Sequence, residues 1–438
     1  MFDRTIAERN IGMRRIFYAL LAGSALGVCS VSAENPAALN QKNPLPEQIE
    51  KIRALSTLVQ PPAVHPAEGL ELNAGTPGQR LIGDSEKYDV RPLFFEGLPY
   101  KGKPTRVFAW YGVPKNSIGK VPAVVLVHGG GGTAFSEWVR QWNDRGFAAL
   151  AIAHEGQLEI REDPKKRVWK KHDWPGPVRN GIYADSAEPI EDQYMYHAVA
   201  DTILANSLLR SLPEVDAEKV GVMGVSWGGV ITSTAIGIDH RFAFAIPTYG
   251  CGHLHDTENQ WGEALGNNDL YIGAWDPFLR MGEVTIPVCW YSWPEDNHFD
   301  LAAQAKTYCA MPGPKMVILR PQMKHGGAWA WGPPDSYAFA KSIVETGRPW
   351  AWQTAVKKEN PVQVVFRCTK SVDRAELIYT LDTGFTGDRT WLSAEAPFVI
   401  EQHQVVVSPV IPPGTTGWIV NLRCGELLVS SEYIDCSL

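Results

Sequence analysis

A chain of 438 residues is too long for one small core and predicts two domains. Its 45% hydrophobic and 20% charged residues are an ordinary globular balance, and a net charge of -7 argues against nucleic acid or an anionic membrane surface as a partner. Sixteen Trp is a high count; most belong to packing, with sugar-facing platforms as the functional alternative.

Residues 1–33 read as an export signal. Arg14 and Arg15 supply its basic part, Ile16 to Val28 its apolar part, and Val31-Ser-Ala33 a small-residue cleavage site. The apolar part is too short to span a bilayer comfortably. Val28 is bulky for the position before a lipidated Cys29, so the expected location is secreted or periplasmic after cleavage. Cys251, Cys289, Cys309, Cys368, Cys424 and Cys436 remain. Disulfides are permitted there, although Cys289 sits inside an apolar strand and reads as a free buried thiol. No C-x-x-C pair occurs, which removes zinc knuckles and thioredoxin-type centres.

Residues 34–86 form a Pro-rich arm with one short amphipathic piece around Pro46 to Leu58. Lys87 to Phe95 and Thr105 to Tyr111 alternate as antiparallel edge strands around a hairpin-like turn. Val121 to Val127 is a continuous apolar run, hence a strand buried on both faces. It ends in His128-Gly-Gly-Gly-Gly-Thr133, followed by a helix from Ala134 to Arg145. The Gly-Lys-Ser/Thr ending of a phosphate loop is missing; an oxyanion loop, with backbone N–H groups aimed into a pocket, fits better. Gly146 to His154 is the next strand. The excursion from Glu155 to Ile190 carries Lys165, Lys166, Arg167, Lys170 and Lys171 beside Trp169 and Trp174, and insertions of this length are usually lids or binding loops.

Asp192 to Leu212 is a helix by its apolar spacing. Val220 to Met223 is a short buried strand that turns through Gly224-Val-Ser226-Trp-Gly228 into a helix from Val230 to Ile238. This is the G-x-S-x-G elbow in its strand-turn-helix setting, where glycine permits the close approach. Phe242 to Pro247, Ile286 to Trp293 and Lys315 to Leu319 are further strands, and Asp335 to Glu345 is a closing helix. His253 and His255 are two apart without a third His or Cys at a supporting spacing, so no metal is expected. From Val362 onward the pattern becomes short alternating strands, a small β-sandwich.

Strands alternating with helices imply a mostly parallel sheet with helices on both faces. The Gly run, Ser226, Asp296 and His325 each follow a predicted strand end, where such sheets carry their chemistry. A serine needs a base and the base an orienting carboxylate. His325 is the expected base and Asp296 the acid, with Glu295 and Asp300 competing for the acid role and His298 and His128 for the base. Backbone N–H groups of Gly130 and Trp227 are the expected oxyanion donors. Trp174, His128 and Trp293 are the candidate substrate-binding side chains.

From about Tyr88 to Gly347 the chain resembles the secreted bacterial α/β-hydrolases of the acetylxylan esterase and dienelactone hydrolase-like group. The resemblance is carried by Phe94-Phe-Glu-Gly-Leu-Pro-Tyr-Lys-Gly-Lys-Pro104, His128-Gly-Gly-Gly-Gly-Thr-Ala-Phe135, Asp192-Gln-Tyr-Met-Tyr-His197, Gly224-Val-Ser-Trp-Gly-Gly229 and Pro247-Thr-Tyr-Gly-Cys-Gly252. It implies an α/β-hydrolase domain over 87–350 and a serine esterase that deacetylates a carbohydrate without a cofactor; the alternating strands make 351–438 a separate β-sandwich. The family aspartate then falls on Asp296 and the histidine on His325, with Trp293 and Lys324 as departures that reshape the pocket. Ser226 stands where dienelactone hydrolases proper carry cysteine. The rivals are a prolyl-oligopeptidase-type serine peptidase, which no propeller domain supports, and a non-catalytic carbohydrate-binding protein.

Overall fold

The computed structural model describes residues 45–67, 88–115, 117–163, 166, 168–402 and 404–436. The export signal, Cys29 and most of the arm lie outside the described residues, as do Lys165 and Arg167.

The strands run, in order, β1 (Val64–Pro66), β2 (Tyr88–Glu96), β3 (Arg106–Pro114), β4 (Val121–Val127), β5 (Ala148–Ala153), β6 (Gln157–Arg161), β7 (Trp169–Lys171), β8 (Val215–Val225), β9 (Ala245–Thr248), β10 (Val288–Ser292) and β11 (Lys315–Leu319). Six of them, in the order β5-β4-β8-β9-β10-β11, pair parallel. β1, β2 and β3 add to the β5 side antiparallel. Strands buried on both faces need continuous apolar sequence. β5 is buried at every position and β4 at all but Pro122. Helices Ser136–Asn143, Tyr194–Ser211, Trp227–Ala235 and Asp335–Thr346 pack against this sheet, which gives an α/β-hydrolase fold.

The arm is more than a surface strap where it is described. Its helix Pro46–Ala54 buries Ile52, and β1 pairs with β2. The Leu58 carbonyl accepts from Ser207 Oγ at 2.5 Å.

After the helix Asp335–Thr346 come β12 (Ala351–Lys357), β13 (Gln363–Cys368), β14 (Arg374–Thr380), β15 (Leu392–Glu395), β16 (Phe398–Glu401), β17 (Gln404–Val407), β18 (Gly417–Cys424), β19 (Leu427–Ser430) and β20 (Ile434–Asp435). One set, β12-β13-β17-β16, is a sheet of its own. The other, β19-β18-β14-β15 with β20, continues the central sheet through β11, so that fourteen described strands form one sheet. The join is the pair Val317 and Ser430, reinforced by side chains: the Leu319 N–H donates to Ser430 Oγ at 2.8 Å and Asn421 Nδ2 to the Leu319 carbonyl at 3.2 Å. Both C-terminal sheets feed the same buried core, Val364 and Phe366 from one and Leu377 and Ile419 from the other. Cys289 is a free, fully buried thiol in β10. No described helix is long and apolar enough to cross a membrane.

Candidate active site

β8 delivers the chain to Ser226 at φ 59° and ψ -121°, and the helix Trp227–Ala235 begins at the next residue. A non-glycine residue here is strained by about 1–3 kcal/mol and persists only where its surroundings hold it. The Ser226 N–H donates to the Thr248 carbonyl at 2.8 Å, and the Gly229 N–H to the Ser226 carbonyl at 2.7 Å. A Cβ at Gly228 would stand 2.2 Å from the Val127 carbonyl oxygen, so the helix start lies directly on the end of β4.

The imidazole of His325, in the loop after β11, reaches the elbow: its Nε2 is 2.8 Å from Ser226 Oγ. Asp296 comes from the loop after β10 and is fully buried. Its Oδ1 accepts the N–H groups of His298 at 2.9 Å and Phe299 at 3.1 Å, and stands 3.8 Å from His325 Nδ1. Asp296 Oδ2 and His325 Nδ1 are both buried without a hydrogen bond. Ser226 and His325 are therefore in contact, and the carboxylate stands about 1 Å short of hydrogen-bonding the ring.

The competing groups go elsewhere. Asp300 caps the helix Leu301–Cys309 by accepting the Ala303 N–H. Burial raises the Glu295 carboxyl above its ordinary value. His298 stacks on the His325 ring at 4.5 Å and holds Asn297 Oδ1 at 2.7 Å; burial and the neighbouring His325 lower its pKa. His128 is buried, stacked on His154 at 3.8 Å, with Nδ1 2.7 Å from the Gly129 carbonyl oxygen. The C-terminal strands also touch the loop that carries Asp296. A Cβ at Gly387 would lie 2.6 Å from the Asp296 carbonyl oxygen, and Thr386 Oγ1 accepts the Leu301 N–H at 2.8 Å.

The Gly run brings its backbone to the serine. A Cβ on Gly129 would stand 3.6 Å from Ser226 Oγ, whereas one on Gly130 would meet the Arg179 guanidinium at 2.8 Å. Trp227 occupies the first helical position, where the N–H has no partner within its own helix.

Residues 84–261 match the acetyl xylan esterase (AXE1) family model. The acetyl xylan esterase match takes in the Gly run and Ser226 and ends before Asp296 and His325. Acetyl esterase Axe7A of Xylanibacter ruminicola is 25% identical over 184 residues, 41% of this chain and 39% of that protein. The chain thus matches about two fifths of that relative's length. Among solved structures, an acetyl xylan esterase from Paenibacillus sp. R4 is 20% identical with a TM-score of 0.48, covering 69% of this chain and 92% of its own. Acetyl xylan esterase 1 from Thermoanaerobacterium sp. JW/SL YS485 is 17% identical with a TM-score of 0.49, covering 68% and 95%.

Above Ser226 and His325 opens a cavity of about 650 Å³. Its lining within residues 84–261 includes His128, Gly129, Gly130, Trp169, Trp227 and Trp261, and the later chain adds His298 and Trp331. Of the expected substrate-binding side chains only His128 is in this lining. Trp174 is 40% exposed and packs beneath Arg106, whose guanidinium is 4.4 Å from its ring centre. Trp293 is buried edge-on against Tyr249 at 5.0 Å and 6.0 Å from the His325 ring, outside the cavity lining. Sequence reading missed Arg161, Arg179, Trp261 and Trp331 as lining residues. The excursion after Glu155 was the available signal for the two arginines, and it folds back as the antiparallel pair β6-β7.

That excursion carries a pH-sensitive anchor. His172 is 7% exposed; its Nδ1 accepts the Trp174 N–H at 3.2 Å and its ring stands edge-on to Phe94 at 5.1 Å. Burial pushes its pKa from 6.5 down to about 4. Above pH 6.5 the ring is neutral in folded and unfolded chain alike. As pH falls from 6.5 towards 4, the unfolded chain takes up a proton that the folded chain refuses, so stability drops by at most about 3 kcal/mol. Denaturant unfolding at pH 7 and pH 4.5 is expected to show this loss in the native protein and less of it in His172→Gln.

Among the described residues three groups could offer a metal three ligand atoms within 4.8 Å of one another: His128, His154 and Glu155; His253, His255 and Asp256; and Asp296, His298 and His325. The fold thus adds Asp256 to the two histidines that lacked a third ligand in sequence. In that group Lys306 already stands 3.4 Å from Asp256, and Asp276 holds His255 Nδ1 at 3.1 Å.

Proposed function

We propose that the chain is a serine carboxylesterase that removes acyl groups, acetyl foremost, from a carbohydrate. The observation that carries this reading is the 2.8 Å contact between Ser226 Oγ, on a strained elbow, and His325 Nε2. With the Asp296 carboxylate on the Nδ1 side, the ring favours the tautomer that leaves Nε2 free to accept the serine proton. Closing the 3.8 Å gap to a hydrogen bond needs a side-chain adjustment of about 1 Å, and such contacts are often long before substrate arrives.

In this mechanism the serine attacks the ester carbonyl as its proton passes to Nε2. The tetrahedral oxyanion is met by the Trp227 N–H and an N–H of Gly129 or Gly130, each such donor contributing about 3 kcal/mol to the barrier reduction. As the intermediate collapses and the bond to the sugar oxygen breaks, the imidazolium protonates that oxygen, which leaves as a hydroxyl. Water, deprotonated by the same ring, releases the acid from the acyl-enzyme. The acetyl and carbohydrate parts of the reading rest on the family match over 84–261, on the relative named an acetyl esterase and on the aromatic cavity wall.

The test is acetate release from acetylated xylan and from 4-nitrophenyl acetate, beside Pro-4-nitroanilide peptides and fluorophosphonate labelling. Ester cleavage with Ser226 labelled and the peptides intact is the expected result. Peptide cleavage would favour the peptidase, and an unlabelled, inactive serine a non-catalytic binder.

A further inference from the structure

The cavity wall is cationic as well as aromatic. Arg161 closes β6, Arg179 follows β7, and both line the cavity that holds Ser226. Each guanidinium lies over an indole: Arg161 over Trp169 at 5.2 Å and Arg179 over Trp227 at 5.4 Å. Trp169 is itself fixed, since its indole N–H donates to the Gly131 carbonyl at 3.1 Å. The β6-β7 hairpin is thereby tied to the Gly run beside the serine.

Carboxylates do little to neutralise these groups. Among the described residues none stands within ion-pair distance of Arg161. Glu155 approaches Arg179 only to 3.9 Å, and Arg179 otherwise donates to the Gly181 carbonyl at 3.3 Å. Glu137 is in the cavity lining, with Arg140 beside it at 3.4 Å. The Nε of both Arg161 and Arg179 is buried without a hydrogen-bond partner. Both side chains are only half-buried, so their outer N–H groups face the cavity and stay open to a ligand, and the planar fork of a guanidinium matches a carboxylate or a sulfate. On β7, Lys170 and Lys171 are exposed and add to the local positive field of a chain whose net charge is -7.

We propose that the ester hydrolysed here is carried on an anionic sugar, a carboxylate- or sulfate-bearing unit whose anion is held by Arg161 and Arg179 while its acyl carbonyl meets Ser226. This rests on the esterase reading and names its substrate class. The sugar ring is placed against Trp169 or Trp261, and the anion, two or more bonds from the ester, fixes which hydroxyl presents its acyl group.

The test compares three acetylated monosaccharides with the full-length protein: a methyl glucuronoside, the matching neutral methyl glucoside, and the glucoside 6-sulfate. The expected result is a kcat/KM about tenfold or more higher on at least one anionic sugar than on the neutral one. A preference confined to the glucuronoside assigns a carboxylate, one confined to the sulfate assigns a sulfate, and either supports the proposal. The ratio should fall towards one in Arg161→Gln and with rising ionic strength. Because it is a ratio within one preparation, partial misfolding does not mimic its loss. Equal kcat/KM on all three sugars, in protein that cleaves 4-nitrophenyl acetate, overturns the proposal and leaves the esterase reading standing. Absence of cleavage of any ester strikes that reading itself.

Discussion

Ser226→Ala is expected to lower ester turnover by about four to six orders of magnitude while the melting temperature barely moves. Alanine keeps the Cβ that shapes the elbow and removes one hydrogen bond, that to His325. Ser226→Gly makes a sharper test of the same geometry. It is equally silent in turnover, yet at φ 59° a glycine escapes the strain that serine bears, and the variant should unfold about 1 kcal/mol later than the native protein. Two stable variants, both inactive and one more robust than the parent, would show a strained residue retained for chemistry. Residual turnover near the native rate in Ser226→Ala would remove the nucleophile from the mechanism.

Gly224→Ala has the largest expected effect on folding. The added Cβ would stand 2.0 Å from the Gly228 carbonyl oxygen and 2.3 Å from Thr232 Oγ1, distances at which backbone must move. The turn between β8 and its helix has no slack, because a Cβ at Gly228 would in turn strike the Val127 and His128 carbonyls. A loss of about 4 kcal/mol or more is expected, enough to deplete soluble protein. Gly282→Ala is the control: nothing lies within 4 Å of its Cβ and its φ is -61°, so its denaturation midpoint should stay near that of the native protein.

The parallel strands were legible because burial on both faces writes itself as unbroken apolar sequence, and β11 has the expected bounds. The meeting of Ser226 with His325 was legible because each follows such a strand. Which carboxylate faces the His325 ring was harder to read, with three carboxylates within six residues. Asp300 did carry a signal: it precedes Leu301-Ala-Ala-Gln-Ala305, a helix start that recruits it as a cap. The aromatic wall was less legible. Trp169 and Trp174 share one basic stretch, and only the pairing of β6 with β7 turns the first into the cavity and leaves the second beneath Arg106. Arg161 sits at the end of an alternating run, Gln157-Leu-Glu-Ile-Arg161, that reads as a strand once its partner is known. The union of β11 with β19 joins residues more than a hundred positions apart, and local pattern does not specify such a partner.

That union ties the fate of the two halves together. A chain severed after Gly347 would bare the backbone of Lys315-Met-Val-Ile-Leu319, five residues without an acidic side chain, on what would become an open flank. It would also strip the Asp296 loop of the Gly387 turn that leans on it. The C-terminal strands therefore work as a lid on stickiness. A chain trimmed to residues 45–347 should clump in solution, and any transplant of that half onto another scaffold must bring a replacement for β19.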